Sequence, residues 1–119
     1  MDIIQLWKEL EVFKKTTKTY ELRLKDKNSG VWKNITNWTI YFTVKEHMED
    51  SDNNAKIKKD ITSHLDAENG KTLIELSVLD TNLEPQNYYY DIKYKDNGGN
   101  IGVICRGRIK IIESVTQRE

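Results

Sequence analysis

The sequence predicts an all-β domain, an antiparallel β-sandwich or barrel introduced by a short helix, and three observations lead there. The chain of 119 residues holds one proline and long stretches rich in Ile, Val, Thr and Tyr, residues that fit a pleated, half-buried surface. Apolar residues alternate with period two in one run after another. Clusters of Asp, Asn, Ser and Gly separate those runs at short intervals, as the turns of a sandwich or barrel do.

The first residues follow another period. Ile3, Leu6, Trp7, Leu10 and Phe13 fall at i, i+3, i+4 spacing and form one apolar stripe, which predicts an amphipathic helix. A competing reading makes Leu10 to Phe13 the end of an extended segment. A lone helix of about a dozen residues is marginal in water, so the stripe must be buried against something. These five residues are therefore the candidate interaction surface, toward a second copy or a neighbouring protein. The alternative is a helix folded back to cap an open end of the same sandwich. The chain divides on this reading into residues 1–15, the amphipathic segment, and residues 16–116, the sandwich.

The strands follow in order. Tyr20, Leu22 and Leu24 share one face, with Glu21, Arg23 and Lys25 on the other. Asp26 to Gly30 makes the next turn. Trp38, Ile40, Phe42 and Val44 oppose Thr39, Tyr41 and Thr43, and the loop Glu49 to Asn54 follows. Lys56 to Thr62 is a weaker strand anchored by Ile57 and Ile61. After the turn at Asn69-Gly70, Ile74, Leu76 and Val78 oppose Leu73, Glu75 and Ser77.

Tyr88 to Lys95 and Ile101 to Ile112 read as a hairpin. A type I′ turn at Asn97-Gly98 suits the φ > 0 both central residues need and puts Tyr94 opposite Ile101 and Tyr88 opposite Gly107. A turn at Gly98-Gly99 keeps the same faces and puts Asp91 opposite Arg106. Either way Tyr88, Tyr90, Ile92, Tyr94, Ile101, Val103, Cys105, Gly107, Ile109 and Ile111 face inward. A shift by one residue is disfavoured, because it would turn half the core to solvent. Gly107 leaves room for a facing tyrosine ring.

Composition narrows the function classes. The 19 basic and 19 acidic residues balance, which gives no reason to expect nucleic acid or an anionic membrane as partner. No run approaches the ~18 apolar residues of a membrane span. The start of the chain is too short and too charged in its apolar part for a secretory signal, so the chain is expected to fold in the cytoplasm of its producer. The two Asn-X-Thr triplets at Asn34 and Asn37 then need no glycan. A single cysteine excludes an intrachain disulfide.

Catalytic constellations are absent. Cys105 lies on an apolar face with no histidine to activate its thiol. His47 and His64 lack ligand spacing. Asp50 to Asn54 starts like a calcium loop but has Ala55 where glycine is required and Ile61 where a bidentate glutamate is required. Gly98 to Gly102 lacks the spacing and following helix of a phosphate loop. The chain is expected to be no enzyme and to need no cofactor or metal. Trp32, Trp38, Tyr41 and Tyr89 could stack on a sugar, which gives the second reading of function, a carbohydrate-binding β-sandwich module. A third is an accessory domain of a hydrolase.

One resemblance spans residues 16–116. Trp38 to Lys45, Lys71 to Leu76, the turn Leu79 to Leu83, the strand Tyr88 to Ile92, a glycine-bearing last strand and Val115-Thr116 together resemble the N-terminal, immunoglobulin-like domain of phage baseplate upper proteins. The resemblance implies an immunoglobulin-like antiparallel β-sandwich with a structural role. It would dock a tail fibre or receptor-binding protein onto the baseplate, with other phage tail or baseplate proteins and further copies of itself as partners. The place implied is the virion tail, assembled in the host cytoplasm.

Overall fold

A computed structural model describes residues 6–116. Eight strands follow one another: β1 (Leu6–Trp7), β2 (Leu10–Phe13), β3 (Lys18–Arg23), β4 (Thr39–Lys45), β5 (Ile57–Ile61), β6 (Lys71–Leu76), β7 (Asn87–Lys95) and β8 (Ile101–Ile112). Single 3-10 turns stand at Asp52–Asn54 and Ala67–Asn69. Strands β5, β4, β7 and β8 pair antiparallel in that order, and β1 and β2 lie parallel along the free edge of β8. The remaining two, β3 and β6, form a separate antiparallel ribbon. The larger sheet curls into a half-barrel, and the ribbon contributes to the same core.

Alternation sets which face fills that core. Ile40, Phe42 and Val44 of β4 and Tyr88, Tyr90, Ile92 and Tyr94 of β7 are buried, as are Ile109 and Ile111 of β8. Ile74 and Leu76 of the ribbon, with Leu24, join them in one apolar cluster. These are inward residues the sequence predicts in β4, β6, β7 and β8 and at Leu24; Tyr20 and Leu22 of β3, also predicted inward, pack against the cluster while remaining partly exposed. Val44 pairs with Ile57 and Ile40 with Ile61, so the weak strand β5 is held by its two anchors.

The predicted N-terminal helix is not what the described residues form. Leu6–Trp7 and Leu10–Phe13 are strands, while Ile3 lies outside the described residues. Val12, which the helical stripe leaves out, is buried, Leu10 packs against the core, and Phe13 points outward at 52 % exposure. The physical reason is the edge of β8, whose N–H and C=O groups an extended segment can satisfy and a helix cannot. The competing reading of Leu10 to Phe13 as extended is the one that holds.

Strands β1 and β2 keep one register: Leu6 pairs with Cys105 and Leu10 with Ile109. Between them Lys8 and Glu9 interrupt the strand without changing its register. The Lys8 N–H donates to the Arg106 carbonyl (2.9 Å), and the Lys8 carbonyl accepts from the Tyr90 hydroxyl (2.8 Å). That carbonyl sits against Gly107, where a Cβ would overlap it. Gly107 therefore makes room for backbone, whereas a facing ring had been expected.

Neither two-residue turn closes the hairpin. Asn97, Gly98 and Gly99 form a three-residue loop between Asp96 and Asn100, with Gly99 at φ 81°. A left-handed third residue is what such loops require. Asp96 pins the loop, its carboxylate accepting from the Gly98 and Asn100 N–H groups (2.9 Å each). An odd loop shifts the register by one, and a bulge between Ile92 and Lys93 shifts it back. Beyond the bulge the strand is inverted. Ile101 is 60 % exposed, Gly102 lies beneath the Tyr94 ring and Ile104 is buried beside Cys105. One extra residue limits the disfavoured shift to the hairpin tip. Below the bulge Asp91 stands opposite Arg106.

Cys105 is buried and its sulfur is 3.3 Å from the Tyr90 hydroxyl. A thiol reagent should label it quickly only after denaturant is added; rapid labelling of the native protein would contradict this packing.

Two polar ties join the layers. His64 Nε2 donates to the Trp38 carbonyl (2.8 Å), and its Nδ1 meets the hydroxyl of the fully buried Thr72 (2.9 Å). In the turn after β6, Thr81 accepts from the Thr16 N–H (2.9 Å) and donates to the Thr16 carbonyl (2.7 Å), anchoring the crossover from β2 to β3. Next to it, Asp80 accepts from Lys59 Nζ (2.7 Å) and the Ser77 N–H (2.8 Å). Burial pushes the Asp80 carboxyl up, but Lys59 and Ser77 outweigh it and hold it below the usual carboxylate range. A depressed folded pKa stabilises the fold above the ordinary carboxylate pKa, and that contribution disappears as pH falls through the folded value. Asp80→Asn should cost about 1 kcal/mol at pH 7 in urea titrations. The gap to wild type should narrow as pH falls below the ordinary carboxylate range and through the lowered value of Asp80; a gap that stays constant would show that the charge is not what matters.

Candidate interaction surfaces

Of the five residues proposed as an interaction stripe, Ile3 lies outside the described residues, and the two whose side chains are described, Leu10 and Phe13, face opposite ways. Leu6 and Trp7 belong to β1, Leu10 faces the core, and Phe13 points outward next to Ile112 on β8. Of the stripe's described side chains, Phe13 is the exposed one.

The polar candidates do not assemble into reaction machinery. Cys105 faces the Tyr90 hydroxyl, and among the described residues its sulfur makes no hydrogen bond to a histidine. The Asp50–Asn54 loop closes on itself, since Asp50 accepts from the His47 N–H (3.1 Å) and Asp52 pairs with Lys45 (2.8 Å). Hydrogen bonding and attraction from Lys45 hold Asp52 below the usual carboxylate range. Among the described residues no three His, Cys, Asp or Glu side chains gather closely enough to hold a metal ion. No described helix is long and apolar enough to cross a membrane.

The four aromatic residues considered for sugar stacking are scattered. Trp38 is buried and stacks on Tyr94 at 5.1 Å. Trp32 lies under the Arg23 guanidinium, 3.6 Å from its ring centre. Only Tyr41 and Tyr89 share a surface. A sugar-binding platform needs coplanar exposed rings, and this arrangement gives no support for one.

The surface that Tyr41 and Tyr89 share is a trough of about 600 Å³ on the face of the larger sheet that points away from the core. Strand pairing arranges its floor in rows. Arg106, Asp91, Thr43 and Lys58 stand side by side across β8, β7, β4 and β5. The next row is Val103, Lys93, Tyr41 and Asp60. Among the described residues the side chains of Asp91, Lys93, Lys58 and Asp60 enter no hydrogen bond or close ion pair, although Asp52 attracts Lys58 and Lys93 from nearby. Burial raises the Asp91 carboxyl above the usual range despite Lys93 and Lys45. Sequence reasoning missed these rows, because they depend on pairing between strands distant in the chain.

No protein-family model and no curated protein sequence matches the chain. The structure does find a likeness. It is similar to the N-terminal domain of phage TP901-1 ORF48, with a TM-score of 0.52 over 92 % of this chain and 95 % of that one, at 13 % identity. Two looser likenesses have lower scores. The PmoD soluble domain of Methylocystis sp. ATCC 49242 (Rockwell) gives 0.44 at 7 % identity, covering 87 % of this chain and 76 % of that one. The Clostridium thermocellum CbhA fibronectin(III)-like modules give 0.43 at 8 % identity, covering 90 % and 92 %. The likeness to the phage domain is one of fold, and at that level it agrees with the resemblance in the sequence.

Proposed function

We propose that this chain is a structural adaptor of a phage tail baseplate, an immunoglobulin-like sandwich that docks a fibre or receptor-binding protein. The observation that carries the reading is the fold shared with a phage protein's N-terminal domain across nearly the full length of both chains. Strand order supports the immunoglobulin-like assignment. Strands β3 and β6 take the places of B and E, and β4, β5, β7 and β8 those of C, C′, F and G. The turn Leu79 to Leu83, part of the sequence resemblance, anchors the crossover through Thr81. The role is non-enzymatic, the location is the virion tail, and assembly takes place in the host cytoplasm with further copies of the chain.

The N-terminal segment, from Ile3 through Leu6, Trp7 and Leu10 to Phe13, is part of this proposal as a contact with the neighbouring tail protein. Phe13 is its exposed anchor. Antibody raised against the domain, applied to phage particles from cells carrying its gene, should decorate the tail tip. Particles labelled elsewhere, or unlabelled although the protein is expressed, would refute the assignment.

A further inference from the structure

We propose that the outer face of the larger sheet pairs with the same face of a second copy, about a two-fold axis crossing the strands midway between Asp91 and Lys93. This goes beyond the tail assignment and does not rest on it, because the chain alone suffices for the test.

The argument starts from the two rows of the trough. Residues two apart on one strand share a face and stand about 6.6 Å apart. In β7 the outward pair is Asp91 and Lys93; in β5 it is Lys58 and Asp60, with the signs reversed. A two-fold axis in the plane of the interface, perpendicular to the strands, lays each strand antiparallel over its own copy. Asp91 of each copy then faces Lys93 of the other, Lys58 faces Asp60, and Thr43 faces Tyr41. The match is reciprocal, as a closed two-fold contact requires.

Other placements fail. An axis running through the Asp91 row sets Asp91 against Asp91. An axis parallel to the strands, between β7 and β4, sets Arg106 over Lys58. Alternating signs also disfavour a polyanion or a uniformly charged partner, which would meet repulsion in every second position. Among the described residues none of the four side chains is engaged in a hydrogen bond or close ion pair, so a second copy competes only with the longer-range pull of Lys45 and Asp52. Asp91 is half-buried before any partner arrives, so its desolvation is already partly complete. Two exposed apolar side chains, Met48 and Ile101, stand at opposite ends of the trough and would be covered.

Four strands about 4.8 Å apart and four rows deep make a face of roughly 500 Å² per copy. That is smaller than the ~800 Å² per partner of a standard interface, so the dimer is weak and concentration-dependent. Sedimentation equilibrium from ~10 µM to ~1 mM spans the range in which such contacts form. The mass should rise toward twice the monomer's. Asp91→Lys and Lys93→Asp should each abolish the rise by placing like charges opposite one another. The combined variant, with both signs exchanged, should restore it. Thermal melts establish that each variant is folded, and the Lys58→Asp and Asp60→Lys pair provides the same exchange on β5 should a β7 variant not fold. A wild-type chain that stays monomeric at ~1 mM overturns the proposal, as does a dimer that survives both single reversals. Folded double variants that remain monomeric overturn it equally.

Discussion

Gly107→Ala should displace the N-terminal strand and cost about 2–4 kcal/mol. The methyl group would overlap the carbonyl of Lys8, a backbone atom fixed by the Tyr90 hydroxyl on one side and by pairing with β8 on the other. A flexible side chain could move aside; this carbonyl moves only with its strand. Hydrogen exchange should therefore quicken at Lys8 and along β2, while the β4–β7 pairing stays protected. Gly99→Ala is the matched control. Its φ of 81° makes a side chain strained, but nothing stands within 4 Å, so the cost should be about 1 kcal/mol and the strand should stay in place. Equal losses in the two variants, with no change in exchange near Lys8, would mean that the Lys8 carbonyl is not seated against Gly107.

Phe42→Ala should cost about 3–5 kcal/mol, a large share of the ~5–15 kcal/mol that holds a small domain together. Phe42 is fully buried at the middle of β4, paired with Ile92 on one side and Lys59 on the other. Its ring packs on Tyr90 at 5.8 Å and 43°. Deleting it leaves a cavity between strands whose backbones are fixed on both sides, so the surroundings can collapse only partly. Urea titrations should show a lower midpoint at unchanged slope. A loss under about 1 kcal/mol would place the centre of the core elsewhere.

How much of this was legible in the sequence differs from strand to strand. In β4 every second residue is apolar from Trp38 to Val44, and the buried face follows directly. The N-terminal segment was ambiguous because Leu10 satisfies both periods. The deciding residues were Val12, buried, and Phe13, exposed, and what decided them was the vacant edge of β8, a distant partner. At the hairpin tip, Asn97-Gly98-Gly99 offers two tight turns by local rules, and the structure takes a third solution that depends on a bulge at Ile104, beyond the three pairs nearest the loop. The trough was the least legible feature. Its rows combine residues from four strands, from Thr43 to Arg106, and local alternation says only that each faces outward.

The parallel course of β2 along β8 has a mechanical consequence. Leu6 enters beside Cys105, near the hairpin tip, and β8 leaves beside Phe13 at the far end. A tensile load applied through the two ends of this pair would drag the strands past each other along their length. Their hydrogen bonds would then be strained all together in shear, whereas a peeling load would open them one at a time. The Tyr90–Lys8 bond and the carbonyl seated against Gly107 act as a catch against that sliding. Pulled along its strands, the domain behaves as a stiff link, and pulled sideways at β1 it yields.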